Sequence, residues 1–89
     1  MDKVDTKTKI KYSKQAGKFL KKQTKATQIR IVKAILKIPT GDIKISTVQG
    51  HKDLLKIRIG DFRVIFDKDF AQIIEVKKIG NRGDIYNEY

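Results

Sequence analysis

Apolar and polar residues first alternate along a short stretch and then take up a helical spacing. Residues 9–12 read Lys-Ile-Lys-Tyr, an alternation typical of a short strand. Ser13 follows as a candidate helix N-cap, because its hydroxyl can accept a hydrogen bond from a free backbone N–H. Behind it, one helical face is predicted to carry Ala16, Phe19, Leu20 and Gln23.

A second stretch of helical period follows a short polar connection, and either Thr24 or Thr27 can cap it. Pro39 and Gly41 end this helix, because a proline biases the residue before it away from helical geometry. Two helices with so short a connection predict a helical hairpin. The apolar stripe predicted for the second helix consists of Ile29, Val32, Ile35 and Leu36.

From Asp42 onwards the apolar period changes to two, which predicts strands. Residues 43–48 indicate a first strand or edge segment. Residues 55–59 and 62–67 alternate on either side of Gly60-Asp61, which predicts a β-hairpin with Gly60 at the first position of a type II′ turn. Residues 73–79 predict a last strand.

The predicted fold class is α+β: an N-terminal strand, a helical hairpin, and then a three- to four-stranded antiparallel sheet, in the order β-α-α-β-β-β. The chain has 89 residues, a length that predicts one domain over residues 1–89. Its opening residues lack the apolar stretch of a signal peptide, and no apolar run approaches the ~20 residues that span a bilayer. We therefore expect a cytoplasmic protein that does not associate with a membrane.

Charge is the strongest compositional signal. The chain has 21 Lys and Arg against 10 Asp and Glu, a formal net charge of +11, and no acidic residue between Asp5 and Asp42. Such a field attracts polyanions, so the charge alone would suit a nucleic acid, an acidic protein or an anionic membrane surface as partner. There is no cysteine and no cluster of His, Asp and Glu, so we expect neither a metal nor a cofactor. His51, the single histidine, is interpreted as a solvated loop residue.

The predicted hairpin brings basic residues together. A two-residue turn at Gly60-Asp61 places Arg58 opposite Arg63, and alternation then puts Lys56, Arg58 and Arg63 on the side of the sheet that faces away from the helices, here called the open face. Like charges directly across a strand pair are destabilising, so this pair makes sense if a polyanion binds between them. Ordinary solvated charges on the wet side of a sheet are the alternative interpretation.

The segment 56–66 (KIRIGDFRVIF), followed by Ile79-Gly80-Asn81-Arg82 and then Ile85-Tyr86, resembles the RelE branch of the RelE/ParE toxin superfamily. The predicted order of elements is similar over nearly the whole chain. Within this resemblance, Arg82 and Tyr86 favour the RNA-cutting branch.

The resemblance implies a toxin that cuts messenger RNA in the ribosomal A site through attack of the RNA's own 2′-hydroxyl, without a metal. It implies that Lys56 and Arg58 activate or stabilise the attacking oxygen, that Arg63 stabilises the phosphorane-like transition state, and that Arg82 protonates or stabilises the leaving 5′-oxygen. Tyr86 would stack on a base. Arg58 stands where some relatives have lysine, and since arginine is a poor general base, Lys56 is the candidate base on that face.

Further expectations concern partners. The resemblance implies a cognate acidic antitoxin that binds the toxin monomer within a hetero-oligomer, besides the ribosome and messenger RNA. Two alternatives to a nuclease stay open: a gyrase inhibitor of the ParE type, and a non-catalytic nucleic-acid-binding relative. Net charge does not discriminate among the three, because all of them bind polyanions or acidic proteins.

Overall fold

The computed structural model describes residues 9–70 and 72–81, and within them the chain forms two helices and five strands. In chain order the elements are β1 (Lys9–Tyr12), α1 (Lys14–Lys21), α2 (Lys25–Leu36), β2 (Ser46–Val48), β3 (His51–Ile59), β4 (Phe62–Asp67) and β5 (Ile73–Asn81). The α+β class and the predicted order of elements are confirmed. Among the described residues, no helix is long and apolar enough to span a membrane.

The strands form one sheet in the order β1-β5-β4-β3-β2. The four strands after the helices are antiparallel, which agrees with the upper end of the predicted three to four. The prediction needs one correction: β1 joins the sheet as a fifth strand, parallel to β5, with Tyr12 opposite Val76. This pairing joins the two strands that lie farthest apart in sequence, so no local pattern reports it.

Both helices begin at hydroxyl caps. The Ser13 hydroxyl accepts a hydrogen bond from the Ala16 N–H at 3.1 Å, and the Thr24 hydroxyl accepts one from the Thr27 N–H at 3.2 Å. Ser13 is therefore confirmed as a cap, and of the two threonines it is Thr24 that caps α2. Satisfying a free N–H in this way stabilises a helix by about 1 kcal/mol.

Beyond the end of β1, side chains at the start of α1 form hydrogen bonds to the backbone of β5. β1 ends opposite Val76, and beyond that point the Ser13 hydroxyl donates to the Lys77 carbonyl at 2.7 Å. The Gln15 amide then donates to the Ile79 carbonyl at 2.9 Å and accepts from the Ile79 N–H at 3.0 Å. These bonds replace a neighbouring strand and satisfy backbone groups that would otherwise lack partners.

The core lies between the helices and one face of the sheet, and it includes Ile57, Val64, Phe66 and Ile79. From α2 and the residues after it, the buried side chains are Ile31, Ala34, Ile35 and Ile38. Of the predicted stripe, Ile35 is buried and Val32 is partly buried, but the prediction is wrong for Ile29, which is 47% exposed, and for Leu36, which is 36% exposed. The helix has two apolar stripes of the correct period, and packing against the sheet selects one of them.

Aromatic contacts fix the helical layer to the hairpin. The rings of Phe19 in α1 and Phe62 at the start of β4 meet edge to face, with centroids 5.8 Å apart. Such pairs contribute about 0.5–1.5 kcal/mol beyond the burial of their area. The β3–β4 hairpin is thus held from the core side.

Candidate active site

The turn of the β3–β4 hairpin sets the geometry of the site. Gly60 has a φ of 58°, whereas Asp61 does not have a positive φ. A positive φ at the first turn position alone is the type II′ pattern, so the predicted turn is confirmed. The predicted register is confirmed as well, with Arg58 opposite Arg63 and Lys56 opposite Ile65.

The three predicted basic residues of the hairpin lie on the open face. Ile57 and Val64, which alternate with them, are buried in the core, and adjacent residues of a strand point to opposite sides. Arg58 is exposed and Lys56 is half-buried, whereas Arg63 is only 6% exposed. The Arg63 Nη1 donates to the Phe62 carbonyl at 3.3 Å, so this guanidinium is held in place.

Lys56, Arg58 and Arg63 line one groove of about 740 Å³. Its other wall comes from the segment that leads into β2, including Asp42, Lys44 and Ser46. Four cations and one carboxylate thus line the groove, and its low-dielectric walls concentrate a positive field within it. This geometry suits a phosphate group, whose charge several fixed cations can share.

The open face also carries a small apolar cluster that the sequence analysis did not predict. Ile65 lies between Lys56 on β3 and Lys78 on β5, and it is 0% exposed. It packs with the buried Val48 and the partly buried Leu54, apart from the main core. This side of the sheet is therefore not the uniformly wet surface that the alternation predicted.

Lys78 is a basic residue of the open face that the sequence analysis missed. Strict alternation along β5 would place it on the core side with Ile74 and Val76. The register shifts, however, from Ile65 opposite Lys78 to Phe66 opposite Val76, so Lys77 is an extra residue in β5. Such a bulge reverses the alternation, and Lys78 joins Ile65 on the open face, where it is 8% exposed.

Two of the predicted site residues, Arg82 and Tyr86, lie outside the described residues, and their place in the site stays a prediction. The strand that leads to them is longer than predicted. β5 continues through Gly80 to Asn81, which lies opposite Phe62 next to the hairpin turn. Arg82 follows Asn81 directly in the sequence.

The sequence analysis placed His51 in a loop, and this prediction is wrong. It is the first residue of β3 and pairs with Val48. It is half-buried at the strand's start. Within residues 9–70 and 72–81, no three His, Cys, Asp or Glu side chains come together in a group that could hold a metal ion.

No family model and no curated protein matches the sequence, but several solved structures match the fold. The RelB–RelE antitoxin–toxin complex of Methanococcus jannaschii has a TM-score of 0.68 and 19% identity, covering 89% of this chain and 98% of that chain. The RelE–RelB complex of Pyrococcus horikoshii OT3 has a TM-score of 0.62 and 28% identity, covering 86% and 97%. The isolated Escherichia coli RelE toxin has a TM-score of 0.64 and 18% identity, covering 91% and 93%. The fold implied by the resemblance is confirmed, and this chain has a RelE-like fold.

Proposed function

We propose that this protein is the toxin of a toxin–antitoxin pair and that it cuts messenger RNA in the ribosomal A site. The observation that carries the proposal is the cross-strand pair Arg58 and Arg63, which lines one groove together with Lys56. Two arginines facing each other are unfavourable unless an anion lies between them. The similarity to RelE toxins over most of the chain supports the same function.

In the proposed reaction the RNA supplies its own nucleophile. The 2′-oxygen forms a bond to the adjacent phosphorus, the bond from phosphorus to the 5′-oxygen breaks, and a cyclic phosphate remains. The 2′-hydroxyl proton passes to Lys56, whose amine must first have released its own proton to water, and Arg58 stabilises the attacking oxygen. Arg82 protonates or stabilises the leaving 5′-oxygen, while Tyr86 stacks on a base and orients the RNA.

Arg63 has the role of stabilising the transition state. Its guanidinium is nearly buried and bonded to a backbone carbonyl, so it needs little reorganisation when negative charge builds up on the phosphoryl oxygens. Removing one preorganised donor of this kind lowers a rate by about 10²- to 10³-fold. No metal takes part in the proposed mechanism, since the cations of the groove neutralise the phosphate.

Toeprinting in a reconstituted translation system tests the proposal. Wild-type protein is expected to produce cuts phased with codons, and Arg63→Ala and Arg82→Ala are expected to lose them. Lys33→Ala is the matched control, because it removes one exposed positive charge from α2, on the other side of the sheet. Intact messages together with trapped gyrase–DNA complexes would contradict the proposal in favour of a ParE-type toxin.

Two other outcomes of the cleavage experiment would each refute one part of the proposal. Cleavage of free RNA at the same rate as ribosome-bound RNA would refute the A-site part and leave the nuclease. Binding of ribosomes or RNA without any cleavage, in wild type as in the variants, would refute the nuclease and support the non-catalytic alternative. The Lys33→Ala control separates these results from a general loss of positive charge.

The same proposal includes an acidic antitoxin that binds the monomeric toxin in the cytoplasm. α2 contains no acidic residue, and it exposes the apolar Ile29 and Leu36 together with the basic Lys25 and Arg30. A disordered acidic segment that folds on binding matches such a surface. Co-expression with the product of the neighbouring gene should relieve growth arrest; equal growth with and without that product would contradict the toxin proposal.

A further inference from the structure

Two charged side chains are buried among the described residues, and both of them are cations of the open face. Arg63 is 6% exposed and Lys78 is 8% exposed. Lysine and arginine are almost never buried without a reason, because dehydrating a charge is costly. Lys78 also has an interaction within the chain, which helps to hold it in one position.

The two buried cations are close neighbours across β4 and β5. Arg63 lies opposite Gly80, and Lys78 is two residues before Gly80 on the same face. Diagonal neighbours of this kind are about 7–8 Å apart between Cα atoms. Two cations at this spacing can contact neighbouring phosphates of one RNA strand, and such contacts supply most of the affinity of a protein for a nucleic acid.

Lys78 also belongs to a row that crosses the sheet. Lys56 on β3, Ile65 on β4 and Lys78 on β5 are consecutive cross-strand partners. Since neighbouring strands lie about 4.8 Å apart, the two lysine Cα atoms are separated by about 10 Å. Ile65, which lies between the two lysines, is 0% exposed.

We propose that Lys78 is a substrate-binding residue, which holds an RNA phosphate next to the one that Arg58 and Arg63 hold. The RNA backbone then crosses the sheet from β3 towards β5 instead of following the hairpin. This inference rests on the proposed function, because it assumes that the groove binds RNA. Lys78 touches a phosphate that does not react, so it contributes to affinity and not to the chemical step.

The test measures binding of a short single-stranded RNA with 2′-deoxy substitutions, which the protein cannot cut, by fluorescence anisotropy over a range of salt concentrations. Each phosphate contact to a single strand contributes about 0.7 to the slope of log K against log salt. Lys78→Met is expected to lower the slope by about that amount and the affinity by up to about fivefold. Lys78→Arg should retain both values, and Lys33→Met, which also removes one positive charge, should retain the wild-type slope.

A slope for Lys78→Met that equals that of wild type, or a loss no larger than in Lys33→Met, would overturn the inference. Lys78→Gln is a second neutral variant, and circular dichroism shows whether each variant is folded. Equal losses of slope in both folded variants support phosphate binding. A lower melting temperature with an unchanged slope would show a structural role for Lys78 and overturn the proposal.

Failure of the role proposed for Lys78 can be distinguished from failure of the proposed nuclease function. If Arg63→Gln and Lys78→Met both lower the slope while toeprinting shows no cleavage, the phosphate-binding role holds and the nuclease proposal fails. If cleavage requires Arg63 while Lys78→Met keeps the wild-type slope, the nuclease proposal holds and the role of Lys78 fails. On a cleavable RNA, Lys78→Met should raise KM with little change in kcat, whereas Arg63→Gln should lower kcat.

Discussion

Arg58 and Arg63 are direct cross-strand partners, so two positive side chains lie next to each other on the open face of the hairpin. Sheets are normally stabilised by cross-strand pairs of opposite charge or of apolar side chains. The repulsion between Arg58 and Arg63 is a destabilising contribution to the folded state, and an anion bound between them would reduce it. A substitution that removes this repulsion should therefore stabilise the free protein and weaken RNA binding.

Arg58→Gln should accordingly stabilise the free protein while it weakens RNA cleavage. Removing the repulsion is expected to raise the free energy of unfolding by about 0.2–1 kcal/mol, because Arg58 is exposed and its side chain needs no buried partner. Urea unfolding measures the change. The gain should shrink at high salt, where the repulsion is screened; a variant less stable than wild type at low salt would contradict the argument.

Gly60→Ala should destabilise the protein, because Gly60 has a φ of 58° and a Cβ there would lie 3.0 Å from Nη2 of Arg30. Strained backbone of this kind costs about 1–3 kcal/mol. Gly17→Ala is the matched control: nothing lies within 4 Å of its added Cβ, and alanine favours the helix by about 0.5–1 kcal/mol. Thermal unfolding should show shifts of opposite sign, and equal shifts would refute the explanation.

Gln15→Leu should loosen the free edge of β5, since the Gln15 side chain makes both hydrogen bonds to the Ile79 backbone. The loss is expected to cost about 1–2 kcal/mol. Hydrogen exchange measured by NMR gives a local check, because the Ile79 N–H donates to Gln15 and should exchange faster in the variant. Gln23→Leu removes one bond within the helical hairpin and should leave the Ile79 exchange rate unchanged.

Alkaline pH should destabilise the protein through Tyr12. Burial raises the pKa of the Tyr12 hydroxyl above its ordinary value of 10.0, so the unfolded chain releases this proton at lower pH than the folded one. The stabilising difference is complete below pH 10 and is lost as the pH rises through the folded-state pKa. Comparing urea unfolding of wild type and Tyr12→Phe from pH 8 to 11 isolates the effect, since the two proteins differ only in this hydroxyl; parallel curves would contradict it.

Local sequence was enough to predict most of the elements and the pairing of the basic residues in the hairpin. The Ser13 cap, the helix end before Pro39 and the Gly60-Asp61 turn depend on contacts within a few residues, and each was confirmed. The Gly60-Asp61 turn also fixes the pairing of Arg58 with Arg63, because a two-residue loop allows only one register between the two strands. That is why the hairpin part of the candidate site could be predicted from sequence alone.

Contacts between distant segments decided the rest. The parallel pairing of β1 with β5 and the choice of Ile31 over Ile29 as a buried residue of α2 depend on what each element packs against. The bulge at Lys77 has the largest consequence, since one extra residue moves Lys78 from the core face to the open face. A period-two pattern does not reveal a bulge, because the bulge depends on how β5 pairs with β4. The sequence therefore determined the hairpin's cations, and only the tertiary structure placed Lys78 beside them.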